Sequence, residues 1–127
     1  MIRGVTLASL VLIPAAAWTA SDWTAPAQAK TWKNPVGRTA GIQAGRSLFE
    51  AHCAICHGPG GRGDGPAGAA LRPKPSDLTG KGVQGQTDGE LYWKISQGHG
   101  AMPAWKDLPE QDRWSLVRFL HSLNEKK

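Results

Sequence analysis

Five consecutive residues near the middle of the chain carry its most recognisable chemistry. They are Cys53-Ala54-Ile55-Cys56-His57, and they include both cysteines of the sequence. On one turn of helix, residues three apart lie on neighbouring faces, so both thiols can reach the vinyl edge of a porphyrin and form thioethers. The imidazole of His57 then lies beneath the ring, where a neutral nitrogen can bind iron. The motif therefore predicts one covalently attached haem, anchored by Cys53 and Cys56, with His57 as the proximal iron ligand.

Two other uses of a Cys-x-x-Cys pair fit the sequence less well. A thioredoxin-type redox couple lies where a strand enters a helix, and no strand pattern precedes Cys53. A structural zinc site needs about four nitrogen or sulfur ligands. No second cysteine pair completes such a set, and His52, His99 and His121 are scattered along the chain. Haem attachment is therefore the preferred interpretation.

The sixth iron ligand is expected to be Met102. The only other methionine is Met1, which belongs to an N-terminal targeting segment, so Met102 is the one thioether left for the mature domain. It lies in a loop and precedes Pro103, which stiffens the chain. A lone methionine often fills a gap in an apolar core, but the loop setting favours iron ligation. His99 is the alternative ligand.

The N-terminal residues have the pattern of a secretory signal. Arg3 provides a positive start, and residues 4–17 form a short apolar centre. Cleavage is expected after Ala29, in the small-residue stretch 27–29, while residues 15–17 offer an earlier site. The pattern predicts an exported, periplasmic protein.

Retention of this segment as a membrane anchor is the alternative. Residues 4–20 number only 17 and include Pro14, which places them at the lower edge of the length that spans a bilayer. With cleavage, the expected organisation is a signal peptide (1–29), a linker arm (30–40) and one domain (41–127). The protein would then meet a membrane only through its partners or through an uncleaved N-terminus.

The residues before the motif have the spacing of an amphipathic helix that begins near Gly41 and runs into Cys53. Its inward positions recur at intervals of three and four residues, at Ile42, Gly45, Leu48, Phe49 and His52. A glycine inside a helix costs about 0.5 to 1 kcal/mol relative to alanine. Gly45 therefore indicates a close crossing with another helix.

Two later stretches also predict helices. Thr87 and Glu90 form a capping box that opens a helix ending at Gly98. Pro109 is expected to start the last helix, whose apolar stripe is wide enough to cover both the haem and the first helix. That stripe consists of Trp114, Leu116, Val117, Phe119, Leu120 and Leu123. No alternating run predicts a strand, so the expected fold class is all-α.

Two irregular segments follow the attachment motif. Residues 58–68 contain six glycines and two prolines, and a G-x-G-x-x-G match within them lacks the preceding strand of a dinucleotide site. A loop that wraps close to a flat ring is the preferred use of so much glycine. Residues 71–78 are stiffened by prolines and are expected to form a wall of the pocket. One of their carbonyls is expected to accept the proton of the His57 nitrogen that does not bind iron.

The chain has a basic excess. Fifteen Lys and Arg against ten Asp and Glu give a formal net charge of +5 and a pI near 9.6. The basic residues are scattered, which disfavours nucleic acid and indicates redox protein partners with acidic docking faces. Those expected to flank the haem are Arg62, Lys81, Lys94 and Lys106.

Residues 41–123 resemble the class I c-type cytochromes of the bacterial monohaem kind. The resemblance rests on the attachment motif, the Met102-Pro103 loop and the aromatic last helix. In that family a glycine and an aromatic residue lie eight and four residues before the first cysteine, as Gly45 and Phe49 do here. The family's last helix crosses the first at that glycine through an aromatic-leucine pair, which Phe119-Leu120 match.

The resemblance implies a small helical cytochrome c domain wrapped around one haem c. Such proteins carry single electrons in a respiratory chain and transform no substrate, so no enzymatic activity is expected. The family's proline whose carbonyl meets the axial histidine corresponds to Pro66, Pro73 or Pro75. Two alternatives remain: a haem protein whose open sixth site binds a gas or small anion or serves catalysis, and a subunit of a larger dehydrogenase or oxidase.

Overall fold

The computed structural model describes residues 23–126, which form five α-helices joined by loops and short 3-10 turns. The helices are α1 (Arg38–His52), α2 (Ala54–His57), α3 (Lys81–Gln84), α4 (Asp88–Gln97) and α5 (Glu110–Ser122). The 3-10 turns are Ala27–Thr31, Pro66–Gly68 and Leu123–Lys126. Within residues 23–126 the only extended pairing is an isolated bridge between His99 and Met102. The all-α prediction is confirmed.

The apolar N-terminal stretch expected to act as a signal or an anchor, residues 4–20, lies outside the described residues. Among residues 23–126, no helix has the combination of length and apolar character needed to cross a bilayer.

Helices α1 and α5 cross where α1 carries Gly45. A Cβ atom at this position would lie 2.8 Å from the Cβ of Phe119 and would collide with the carbonyl oxygen of Ser115. One turn later, the rings of Phe49 and Phe119 lie with centroids 5.1 Å apart. The predicted close crossing is confirmed, because only a residue without a side chain lets the two backbones approach this far.

The apolar stripe of α5 forms the centre of the core. All six of its predicted members are at most 8% exposed, namely Trp114, Leu116, Val117, Phe119, Leu120 and Leu123. They pack with Phe49 of α1 and with Leu91 and Ile95 of α4. Helix α5 itself begins at Glu110, one residue later than predicted, with Pro109 as its N-cap.

Helix α4 begins and ends as predicted. The Oγ1 atom of Thr87 accepts a hydrogen bond from the backbone N–H of Glu90 (3.3 Å), and the Glu90 carboxylate accepts one from the N–H of Thr87 (2.8 Å). The bond from the Thr87 backbone is the main reason that the pKa of Glu90 is lowered. Gly98 ends the helix with a φ of +66°.

The residues before α1, expected to form a surface arm, are attached to the helices behind them. Asn34 donates a hydrogen bond to the carbonyl of Trp114 (3.0 Å), and Arg118 donates one to the carbonyl of Val36 (2.9 Å). Ala29 is completely buried, and its carbonyl lies against Gly89 of α4. The segment is therefore packed as part of the domain.

Helix α1 begins at Arg38, so residues 38–40 are helical although they were expected in the arm. The carbonyl of Gly37 accepts the first bond of the helix, from the N–H of Gly41 at 2.9 Å. Residues 38–40 are exposed, so the spacing of buried positions does not mark them as helical.

We expect Gly45→Ala to lower the free energy of unfolding by about 1 to 3 kcal/mol, because the added methyl group overpacks the crossing of α1 and α5. Gly82→Ala is the matched control, since a Cβ at that helical position has nothing within 4 Å. The control should change stability by less than about 1 kcal/mol. Urea denaturation followed by circular dichroism measures both. Equal effects at the two glycines would contradict a tight crossing.

Candidate haem site

The attachment motif continues the path of α1 with almost no break. The N–H of Cys53 donates to the carbonyl of Phe49 (2.8 Å), and the N–H of His57 donates to the carbonyl of Cys53 (2.9 Å). Cys53, Cys56 and His57 therefore follow one another on a single turn, as their spacing predicts. Both thiols are free.

The environment of the Cys53 thiol differs from that of a reactive redox thiol. Burial, with a smaller contribution from the neighbouring Cys56, raises the pKa of Cys53 to about 11. Thioredoxin-type couples instead depend on a lowered thiol pKa. The half-buried Cys53 therefore lacks the lowered pKa of a thioredoxin-type thiol.

The ring of His57 is oriented by a backbone carbonyl. Its Nδ1 atom lies 3.1 Å from the carbonyl oxygen of Ser76. Since a carbonyl can only accept, this hydrogen bond places the ring proton on Nδ1 and leaves the lone pair of Nε2 free. Burial lowers the pKa of His57 despite the opposing effect of this bond, which favours the neutral imidazole that binds metals. The predicted acceptor within residues 71–78 is confirmed as Ser76.

The three prolines that the resemblance offered for this role do not provide the carbonyl. The acceptor belongs to Ser76, the residue after Pro75. The carbonyl of Pro75 instead lies against Gly63, where an added Cβ atom would collide with it. The carbonyl of Ser76, and not that of Pro75, therefore faces the imidazole of His57.

The glycines after the motif let their loop lie directly on α2. Gly63 donates a hydrogen bond to the carbonyl of His57 (2.8 Å), and Gly65 donates one to the carbonyl of Cys56 (3.1 Å). A Cβ atom on Gly65 would lie only 2.6 Å from the carbonyl oxygen of Ala54. The glycines of this loop therefore allow its close approach to the helix backbone.

Met102 closes a tight turn, residues 98–102, which we call the Met102 turn. The N–H of His99 donates to the carbonyl of Met102 (3.0 Å), and the N–H of Met102 donates to the carbonyl of His99 (2.9 Å). Gly98 and Gly100 have φ values of +66° and +56°, in the region that glycine adopts most easily. The backbone around Met102 thus has a defined conformation.

Trp105 brings the Met102 turn to the end of α1. The ring centroids of Trp105 and His52 lie 5.1 Å apart. The backbone N–H of Trp105 donates a hydrogen bond to the carbonyl of Ile95 (3.0 Å). His52 directly precedes Cys53, while Trp105 follows Met102 by three residues. The two segments expected to supply iron ligands therefore meet at the same end of the domain. Sequence analysis missed this contact, although the tryptophan close to Met102 was a signal for it.

A family model described as cytochrome C oxidase, cbb3-type, subunit III matches residues 40–120. The chain belongs to this family. It is a c-type cytochrome, and the resemblance seen in its motifs is confirmed.

Known relatives of this cytochrome include two subunits of cbb3-type oxidases. CcoP of Azospirillum brasilense is 31% identical over 86 residues, which are 66% of this chain and 29% of that protein. FixP of Bradyrhizobium diazoefficiens is 35% identical over 82 residues, which are 62% of this chain and 26% of that protein. The cytochrome thus spans less than a third of the length of either subunit.

The cytochrome is also similar to two proteins that are not subunits of cbb3-type oxidases. Cytochrome c6 of Leptolyngbya boryana is 35% identical over 74 residues, which are 58% of this chain and 81% of that protein. A chain of the Kuenenia stuttgartiensis reducing HAO-like protein complex superimposes with a TM-score of 0.61 and 32% identity. That match covers 70% of this chain and 46% of the other.

The side chains of this cytochrome fit haem c, the cofactor of c-type cytochromes. Two thiols stand on one helical turn, and a neutral imidazole beside them keeps Nε2 free. The thioether of Met102 is half-buried on a turn that lies at the same end of the domain. The alternative ligand His99 is exposed, and its ring stacks on Trp23 with centroids 4.9 Å apart.

The basic residues expected around the haem have different environments in the cytochrome. Arg62, Lys81 and Lys106 are exposed. The ammonium group of Lys94 instead lies 5.1 Å from the centroid of the Trp23 ring, and burial lowers the pKa of Lys94. Arg62, Lys81 and Lys106 are therefore available to a partner, whereas Lys94 is engaged within the domain.

Proposed function

We propose that this chain is an exported monohaem cytochrome that carries single electrons between redox proteins of a respiratory chain. One haem c is attached through Cys53 and Cys56, with His57 and Met102 as its axial ligands. The observation that supports this best is the hydrogen bond between Nδ1 of His57 and the carbonyl of Ser76, because it leaves Nε2 free on the turn that carries both thiols.

The residues of the chain tune and position the cofactor. A bound haem c would supply the one-electron couple of ferrous and ferric iron. The Ser76 carbonyl fixes the orientation of the His57 ring and makes Nε2 more basic. A thioether ligand from Met102 favours the ferrous state relative to a second nitrogen ligand and so raises the potential. These roles require no transformation of a substrate.

Export follows from the N-terminal pattern of one basic residue and an apolar centre at residues 4–17. The burial of Ala25 (5% exposed) and Ala29 (0% exposed) supports a cut before these residues rather than after Ala29. The earlier site at residues 15–17 consists of small residues, as a signal-peptidase site needs, and it precedes Ala25 and Ala29. The intact mass of the purified protein identifies its first residue.

The decisive experiment for the function is a redox titration of the purified protein together with its intact mass. We expect the mass of the polypeptide plus one haem, and a reversible titration that follows a single one-electron Nernst curve. Two haems per chain, or a pigment that acid acetone extracts, would contradict the proposal.

The matches to oxidase subunits support a second candidate, a cytochrome subunit that remains in a larger dehydrogenase or oxidase complex. Haem staining of native gels, run on membrane and soluble fractions of the native host, distinguishes the two. A free carrier appears as a small haem-stained species in the soluble fraction. A subunit appears only in a large species from the membranes.

Acidic docking faces on the partners are part of the proposal, and Lys106 tests them. It is exposed and follows Trp105, which contacts the attachment end of α1. We expect Lys106→Glu to slow association with an acceptor by about threefold at low salt, because charges near the docking face steer encounter. The difference should disappear well above 0.1 M salt, where the Debye length falls below about 10 Å.

Lys33→Glu is the matched control for Lys106→Glu. Lys33 is also exposed, but it lies beside Thr87 and Asp88, at the opposite end of α4 from the Met102 turn. Stopped-flow oxidation across a salt series measures both variants. Equal slowing by the two changes, or rates that do not depend on salt, would show that the basic charge does not guide docking.

A further inference from the structure

The segment before α1 crosses the surface of α4 and reaches the Met102 turn. We call residues 23–36 the strap. At one end, Asn34 and Val36 are hydrogen-bonded to α5. In the middle, Ala29 is completely buried, with its carbonyl against Gly89 near the start of α4. At the other end, Trp23 contacts Lys94 on the last turn of α4 and His99 just after the helix, so the strap follows α4 from its start to its end.

Trp23 is the residue of the strap that contacts the Met102 turn. Its indole ring stacks on the imidazole of His99, with centroids 4.9 Å apart and planes 16° apart. The ammonium group of Lys94, on the last turn of α4, lies 5.1 Å from the same indole. The stacking interaction with His99 and the cation–π interaction with Lys94 are both favourable, so Trp23 is held between α4 and the Met102 turn.

His99 transmits this contact to Met102 through the backbone. The two residues exchange both of their N–H to carbonyl hydrogen bonds, at 3.0 and 2.9 Å. The glycines on either side of His99 have positive φ values, and glycine has more backbone freedom than any other residue. A packing contact from outside the Met102 turn therefore stabilises its conformation more than it would stabilise a turn without glycines.

We propose that Trp23 is a positioning residue for the sixth ligand. By stacking on His99, it holds the Met102 turn in the conformation that presents the Met102 thioether to the iron, and so opposes detachment of Met102. A ligand on a loop needs supporting residues that fix its geometry, and Trp23 is such a support. This inference rests on the axial role of Met102 that the proposed function contains.

The test is the binding of added imidazole to the ferric holoprotein, because imidazole competes with Met102 for the iron. We expect Trp23→Ala to increase the apparent affinity for imidazole about three- to tenfold, the range that the loss of one stacked aromatic pair corresponds to. The weak far-red band of thioether-ligated ferric haem should lose intensity in parallel. Trp23→Phe keeps a ring on His99 and should restore most of both properties.

Trp32→Ala is the matched control. Trp32 belongs to the same strap and is 41% exposed, but its ring lies edge-on to Tyr92 with centroids 6.2 Å apart, away from the Met102 turn. It should bind imidazole with wild-type affinity. If Trp32→Ala and Trp23→Ala raise the affinity equally, the strap acts only through general stability and the inference is overturned.

Two variants of His99 keep the inference testable if Trp23→Ala fails to fold. His99→Ala should reproduce the increased affinity for imidazole, since it also removes the stack. His99→Phe retains an aromatic ring but has no nitrogen ligand, and it should keep the wild-type affinity and far-red band. Loss of the low-spin state in His99→Phe would mean that His99 binds the iron, which overturns the positioning role.

The remaining outcomes separate this inference from the proposed function. A wild-type protein without the far-red band would refute the axial role of Met102 and the inference with it. A normal band together with unchanged imidazole affinity in Trp23→Ala and His99→Ala would refute the inference alone. A mature chain that begins at Lys30 would lack Trp23 and would also overturn it.

Discussion

His57→Ala is expected to reduce the yield of covalently loaded cytochrome by at least about tenfold. Loss of a residue that merely orients a metal ligand already costs about 10- to 100-fold in affinity, and His57 is the proposed ligand itself. The substitution also leaves the carbonyl of Ser76 without the ring N–H that it accepts at 3.1 Å. Haem staining of denaturing gels, normalised to total polypeptide, measures the yield.

His52→Ala is the matched control for this variant. His52 is also half-buried, it lies five residues earlier, and its ring contacts Trp105 rather than a backbone carbonyl of the pocket wall. We expect the His52 variant to accumulate loaded protein at close to the wild-type level. Similar losses in the two variants would show that maturation responds to general stability and not to the proximal ligand.

The thioether anchors are tested by the same measurement. Cys53→Ala and Cys56→Ala should each leave a single attachment and weaken retention of the pigment. The double variant should lose all of its haem to acid acetone. Full retention in the double variant would disprove covalent attachment through these thiols.

Met102→Ala is expected to cause the second large change. Without the thioether, the ferric protein should lose the far-red band, and its reduction potential should fall by on the order of 100 mV, a fraction of the range of about 0.8 V over which axial ligands set haem potentials. External ligands such as imidazole and carbon monoxide should bind readily. Optical spectra and a redox titration measure these changes.

Two results would contradict the assignment of Met102 as the sixth iron ligand. If Met102→Ala retains the wild-type spectrum while His99→Phe becomes high-spin, His99 is the sixth ligand. If the wild-type protein is already high-spin and binds carbon monoxide without any substitution, the sixth site is open, and the protein is a ligand-binding or catalytic haem protein. Each result is visible before any partner is known.

Elements whose determinants lie close together in the chain were predictable from the sequence. Cys53, Cys56 and His57 occupy one turn, and their spacing alone places them on neighbouring faces of a helix. The capping box joins Thr87 and Glu90, which are three residues apart, and its two hydrogen bonds form as predicted. Gly45 also indicated a helix crossing. A glycine makes a helix less stable than an alanine would, and a close contact with another helix is a reason to have one there.

The acceptor for His57 required the tertiary structure. Ser76 is 19 residues away, and it takes part through its carbonyl, which every residue possesses. Which carbonyl faces the imidazole depends on how the glycine loop lies on α2 and on the contact of Pro75 with Gly63. Composition could identify the stiff segment 71–78 but not the one carbonyl within it.

The sequence by itself determined the placement of Cys53, Cys56 and His57 on one turn, the helical class and the main crossing, because each depends on residue types at short, regular spacing. Only the tertiary structure showed how residues 23–36 pack on α4 and α5. Small residues suit a signal-peptidase site, and the same smallness lets Ala29 be fully buried with its carbonyl against Gly89. The stack of Trp23 on His99 joins residues 76 positions apart, and no local pattern specifies such a pair.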